Sequence, residues 1–143
     1  MPQLPTPKAN AMLICDYVIT EQGTRKKSLI GIFENISAAR FPCTHPSLSV
    51  YIKLTDGNGS YKFHLELVDL KNDKVIGRGD LSREVTIDNP LSVHELVFNL
   101  SNLRFQAAGD FEFRIYSNDR IFGQKTFTVS PMRRPEAEAT GAP

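Results

Sequence analysis

Cys43 and His45, two residues apart in Phe41-Pro-Cys-Thr-His-Pro46, are the one thiol and imidazole at short spacing in the chain. On an extended segment such side chains point the same way, so they could meet. A structural zinc needs four ligands and a catalytic zinc usually three, and no second Cys/His pair follows. A cysteine nucleophile also needs a group to stabilise the oxyanion, and no nearby motif supplies one. The expectation is a Pro-flanked loop with a quiet thiol: no catalytic residue, no cofactor and no metal.

The other candidates reduce in the same way. Cys15 stands in an apolar run, where burial raises a thiol pKa and makes it inert. Asp56, Asn58, Asp69 and Asp73 suggest calcium, but their two turns cap opposite ends of one strand. At ~3.3 Å per residue they are roughly 30 Å apart, and turn formation accounts for all four. His64 alternates outward on a strand and His94 opens another. Arg78-Gly79-Asp80 spells an adhesion tripeptide, and Asn35, Asn58 and Asn99 open glycosylation sequons. Both matter outside the cell, whereas the amino terminus lacks the charged start, long apolar stretch and cleavage site of a secretory signal. A cytoplasmic setting is expected, and these matches read as coincidence. Asp16, a carboxylate inside an apolar strand, calls for a partner, and Arg25, Lys26 or Lys27 should supply it across the turn. No phosphate-binding glycine loop, GxSxG elbow or HExxH pair is present.

Seventeen Lys and Arg against sixteen Asp and Glu leave a net charge of +1 over 143 residues. That balance argues against nucleic acid or an anionic membrane as partner. With 41% hydrophobic and 23% charged residues the chain should fold, as one domain. No stretch reaches the ~20 apolar residues of a membrane-spanning helix, and two cysteines exclude a disulfide framework.

The elements that must position these groups are strands. Leu48, Val50, Ile52 and Leu54 alternate with polar neighbours, as do Tyr61, Phe63, Leu65 and Leu67, and Asp56-Gly-Asn-Gly59 between them predicts a hairpin. Leu96, Phe98 and Leu100 repeat the pattern, and so do Phe111, Phe113 and Ile115. Asn118-Asp119 predicts a tight turn into a last strand with Phe127 and Val129. Weaker strands fall at 74–79 and 84–88. No window carries the 3.6-residue period of a helix. Eight or nine short strands predict an all-β fold, a two-sheet antiparallel β-sandwich of immunoglobulin-like architecture. It should occupy residues 11–130, after a Pro-rich lead at 1–10 and before a disordered tail at 131–143.

Three segments, LICDYVITEQGTRKKSLIGIFENI (13–36), FPCTHPSLSVYIKLTDGNGSY (41–61) and AAGDFEFRIYSNDRIFGQKTFTV (107–129), carry a resemblance. They resemble a family of short bacterial β-sandwich proteins with no assigned activity. The resemblance implies a stand-alone sandwich in a bacterial cytosol, and no catalytic residue.

The most informative irregularity is that residues 12–19 and 28–35 are apolar on both faces, so something should cover the second face. Asp16 and Thr20 mark the solvent face of the first strand, which then carries Met12, Ile14 and Val18. On the second strand Leu29, Gly31 and Phe33 point inward and Ile30 and Ile32 outward. Met12, Ile14, Val18, Ile30 and Ile32 are thus the predicted protein interface of a non-catalytic binding or assembly module, its partner a protein, itself included. A loop of the same chain, at 37–46 or 103–108, is the competing cover. The alternative function is a small-ligand or carbohydrate site at loop ends, built from Phe41, His45, Asp119 and Arg120 on one end.

Overall fold

The computed structural model describes residues 4–132, and these contain strands and no helix. One sheet holds β1 (Lys8–Thr20), β2 (Lys27–Ile32), β4 (Cys43–Thr55) and β9 (His94–Phe105) in the order β2-β1-β4-β9. The second holds β3 (Asn35–Ala38), β6 (Phe63–Asp69), β7 (Lys74–Asp80), β10 (Gly109–Ser117) and β11 (Arg120–Pro131) in the order β3-β11-β10-β6-β7. A small ribbon pairs β5 (Gly59–Tyr61) with β8 (Val85–Ile87). β3 runs parallel to β11, and the remaining pairings are antiparallel. The chain is an all-β sandwich with a few more strands than the sequence suggested, because β3 and β5 are too short to show a period.

Alternation predicted the core well. Leu48, Val50, Ile52 and Leu54 face Leu65, Leu67, Phe113 and Ile115, all nearly or fully buried. Phe127 packs at 5.2 Å from Phe113 and 6.0 Å from Phe105, ring centre to ring centre. Phe105 points inward because β9 switches sides at Asn102, whose φ is +55°. Leu96, Phe98 and Leu100 line the core on even positions before it, Leu103 and Phe105 on odd positions after it.

The hairpin predicted at Asp56–Gly59 does not form. β4 belongs to the first sheet and β6 to the second, so this turn hands the chain across the sandwich. Asp56 (φ +67°) and Gly59 (φ +130°) make the corner, and Leu4 packs over Gly59. Both strands alternate because both border the same core. Alternation reports which face is buried and says nothing of which strand lies alongside.

At the amino end, within the segment read as a lead, Pro7 is buried, β1 starts at Lys8, and the Tyr61 hydroxyl donates to the Pro5 carbonyl at 2.6 Å. At the other end Pro131 closes β11, and the Met132 amide donates to the Ala38 carbonyl at 2.7 Å. The rest of the expected tail, 133–143, lies outside the described residues.

Candidate functional site

β1 has two partners in succession. From Lys8 to Cys15 it pairs with β4, ending at Cys15–Ser49, and from Cys15 to Thr20 it pairs with β2 alone. β4 itself continues back to Cys43 beside β9. The β1–β4 pairing stops at Ser49, three residues short of Pro46, which has no amide hydrogen to offer a neighbour. The distal hairpin is therefore a two-stranded ribbon, and none of residues 16–32 is buried. Its turn is held by the Glu21 amide donating to the Lys26 carbonyl at 2.8 Å and by Thr24 donating to the Glu21 carboxylate.

Register sets the two faces of the ribbon. Tyr17 lies opposite Ile30, Cys15 opposite Ile32 and Ile19 opposite Ser28, which puts Tyr17, Ile19, Ile30 and Ile32 on one side. They are 53%, 48%, 38% and 53% exposed. Val18 with Leu29, and Thr20 with Lys27, form the other side.

The face assignment behind the predicted interface holds for two residues and not for the other three. Ile30 and Ile32 stand outward as expected. Ile14 is fully buried in the core, and Met12 packs against that core. Val18 is half-buried on the side opposite Tyr17. Asp16 misled the assignment: it shares its face with Ile14, but at Asp16 the ribbon has left the sandwich, so that face meets water. Tyr17 and Ile19 were missed. They continue the odd-numbered apolar set of Leu13 and Cys15, and no local signal marks where β4 releases them. Neither 37–46 nor 103–108 buries the four exposed side chains.

Asp16 has no ion-pair partner among the described residues, contrary to the expected bridge to Arg25, Lys26 or Lys27. Its carboxylate lies over Gly31 instead, where an added Cβ would stand 2.7 Å from Asp16 Cγ. Gly31 has φ +70°. Beside it Cys15 is fully buried, and burial first, then the Asp16 charge, pushes its thiol pKa up.

The other candidates do not assemble into a reactive centre. Cys43 packs against the core, and the His45 ring stands 5.9 Å from that of Phe33. His45 Nε2 is buried without a hydrogen-bond partner among the described residues. The adjoining cleft of about 490 Å³ adds no acid or further ligand. Among the described residues no three His, Cys, Asp or Glu side chains could share a metal. Arg78 and Asp80 of the tripeptide bind each other at 3.0 Å on edge strand β7. Phe41 and His45 lie by the start of β4, where β11 ends, whereas Asp119 and Arg120 lie where β11 begins. They occupy opposite ends of the sandwich and cannot form one site.

A polar cluster covers the outside of the second sheet. His64, 6% exposed, stacks on Tyr116 with ring centres 4.6 Å apart, and its Nε2 stands 3.4 Å from Glu66. Arg114 binds Glu112 at 2.6 Å. Burial raises the Tyr116 pKa, and Glu66 adds to it. A cleft of about 530 Å³ beside His64 is lined by Lys62, Arg78, Asp80 and Asp119 among others.

Residues 10–130 match the model of a family of unknown function, DUF6941. The chain belongs to this family. All three segments that carried the resemblance fall inside the match. No curated protein matches the chain. Among solved structures it is similar to a β-glucosidase from Listeria innocua (11% identity, TM-score 0.47, 90% of this chain and 16% of that one). It is similar also to β-glucosidase 3B from Thermotoga neapolitana (18% identity, TM-score 0.43, 62% of this chain and 15% of that one). A third is an immunoglobulin-like protein from Pseudomonas aeruginosa (11% identity, TM-score 0.38, 87% of this chain and 97% of that one). The chain spans about a sixth of the β-glucosidases it matches.

Proposed function

We propose that this domain is a non-catalytic, cytoplasmic binding or assembly module that engages a protein through the β1–β2 ribbon. One observation carries the reading: four large apolar side chains, Tyr17, Ile19, Ile30 and Ile32, stand exposed on one face of a ribbon that has no third strand among the described residues. Burying one such side chain completely is worth about 1.5–3 kcal/mol, so covering the exposed parts of four contributes on the order of 3–6 kcal/mol toward holding a partner. Two-stranded ribbons are marginal in water on their own and gain most from an added surface. The near-neutral charge leaves no comparable pull toward nucleic acid or anionic lipid.

The test pairs Ile30→Lys with Ile32→Lys. The double variant should keep the parent's β-rich far-ultraviolet spectrum and a cooperative melt while losing self-association and co-purifying protein. A folded variant whose mass and bound proteins match the parent would end the reading. A second reading, a small polar ligand, draws on the cleft beside His64; a ligand-dependent melting shift abolished by Arg78→Ala would favour it.

A further inference from the structure

The occupant of the ribbon follows from its free edge. β2 is the outer strand of the first sheet, so among the described residues one side of its backbone has no strand beside it. Each of the four edges of the two main sheets carries a feature that discourages pairing. β7 bears Lys74, Arg78 and Asp80; β9 bears Glu95, Arg104 and the left-handed Asn102; β3 has four residues. β2 carries Lys27 and the left-handed Gly31, with an uncharged run from Ser28 to Ile30, and it differs from the other edges in lying on the ribbon that has left the sandwich.

The charges that flank β2 give it a polarity. Arg25, Lys26 and Lys27 precede the uncharged run and Glu34 follows it. Glu34 is 69% exposed, and its ion pair with Lys125, at 3.3 Å, leaves it accessible. A parallel copy of β2 would set like charges together, whereas an antiparallel copy sets the basic end of each against the acidic end of the other.

We infer that β2 pairs antiparallel with β2 of a second copy of this chain, with Leu29 on the two-fold axis. This deepens the reading of the hairpin as an interaction surface and rests on it. In that register Lys27 lies opposite Gly31 of the second copy. Directly opposed residues share a face, and the Asp16 carboxylate lies over Gly31 on that same face. Each Lys27, which now donates to Thr20 Oγ1 at 3.2 Å, then reaches the unpaired Asp16 of the other copy. Two two-stranded ribbons become one four-stranded sheet, and the Tyr17–Ile30 side of each joins the other. Strands spaced about 4.8 Å apart place all these groups within side-chain reach. The contact is isologous and closes on itself, so it yields a dimer and no larger array.

Sedimentation equilibrium of the full chain should give twice its 16.0 kDa mass. Asp16→Lys and Lys27→Glu should each return it to the mass of one chain, and the double swap should restore the dimer. Leu29→Cys should give a disulfide-linked dimer on mild oxidation, since directly opposed residues lie within disulfide range. This second readout holds even if a charge variant disturbs the ribbon. A parent that stays at single-chain mass, single swaps that remain dimeric, or an uncrosslinked Leu29→Cys each overturn the pairing. If the parent is monomeric yet Ile30→Lys with Ile32→Lys removes a bound protein, the self-pairing falls and the interaction surface stands. If neither responds, both fall.

Discussion

Asp16 lies over Gly31, the side chain of one residue filling the space that the other leaves empty. The two are opposite each other across the β1–β2 ribbon, between the Cys15–Ile32 and Tyr17–Ile30 pairs. Both residues lie in the first of the three segments that carry the resemblance, 13–36. The glycine is needed twice, for its left-handed backbone and for its missing Cβ, and the aspartate supplies the surface that covers it.

Gly31→Ala should therefore open the ribbon without unfolding the sandwich. A non-glycine residue held at such a φ costs about 1–3 kcal/mol, and the clash with Asp16 adds to it. Amide exchange at residues 17–20 and 27–30 should quicken by about tenfold or more, with β10 unchanged. Adding Asp16→Ala should recover the part due to the clash and leave the part due to the backbone. Unchanged ribbon protection in Gly31→Ala would show that the left-handed turn is not required.

Where a strand is flanked by core on one side and water on the other, the sequence was easy to read. Leu48 to Leu54, Phe63 to Leu67 and Phe111 to Ile115 were assigned to the core by alternation alone, and all the inward residues are buried there. Two features were illegible because they depend on distant strands. The partner of β4 could not be told from its alternation, so a cross-sheet corner looked like a hairpin. The faces of β1 were inverted because Asp16 is solvated for a reason unrelated to parity, the end of the β1–β4 pairing at Cys15–Ser49. Ile30 and Ile32 survived because the polar Ser28 and Glu34 share their face, whereas Tyr17 needed the hairpin register to be found.

Cys15 and Cys43 are both free, but they differ in access. Cys15 has no exposed surface, and its raised pKa keeps it protonated at neutral pH. An aromatic disulfide reagent at pH 8 should titrate at most one thiol in the native protein and two in denaturant. Rapid native labelling of Cys15, read by peptide mass, would contradict its placement.

Tyr51 links stability to alkaline pH. It is 6% exposed on the outside of the first sheet, where burial, then its hydrogen bond to the Glu95 carboxylate, pushes its pKa well above the usual 10. A phenol harder to ionise when folded stabilises the protein fully below the unfolded value. That contribution drains away as pH rises from about 10 toward the folded value. Urea midpoints should therefore fall between pH 9 and about 11, and Tyr51→Phe should flatten part of that fall. At neutral pH the same substitution should cost about 1 kcal/mol, the net worth of one hydrogen bond. An identical alkaline slope in parent and variant would remove Tyr51 from the account.

Ile14 and Ile30 belong to the same hairpin and to the same residue type, yet they should respond oppositely to truncation. Ile14 is fully buried, on the core cluster with Val50 and Phe98, and its strand is held there by β4. Replacing it with alanine removes buried methyl groups and leaves a cavity that rigid neighbours fill only in part, a cost of about 2–5 kcal/mol. Ile30 is 38% exposed on a ribbon with no third strand, so its truncation forfeits little packing within one chain. Its effect should stay below about 1 kcal/mol in a monomer, close to the usual range for surface positions. Denaturant melts at a concentration low enough to separate any dimer would measure both. Equal losses would mean that the ribbon is packed as firmly as the core, and the interaction surface assigned to it would then have to be sought elsewhere.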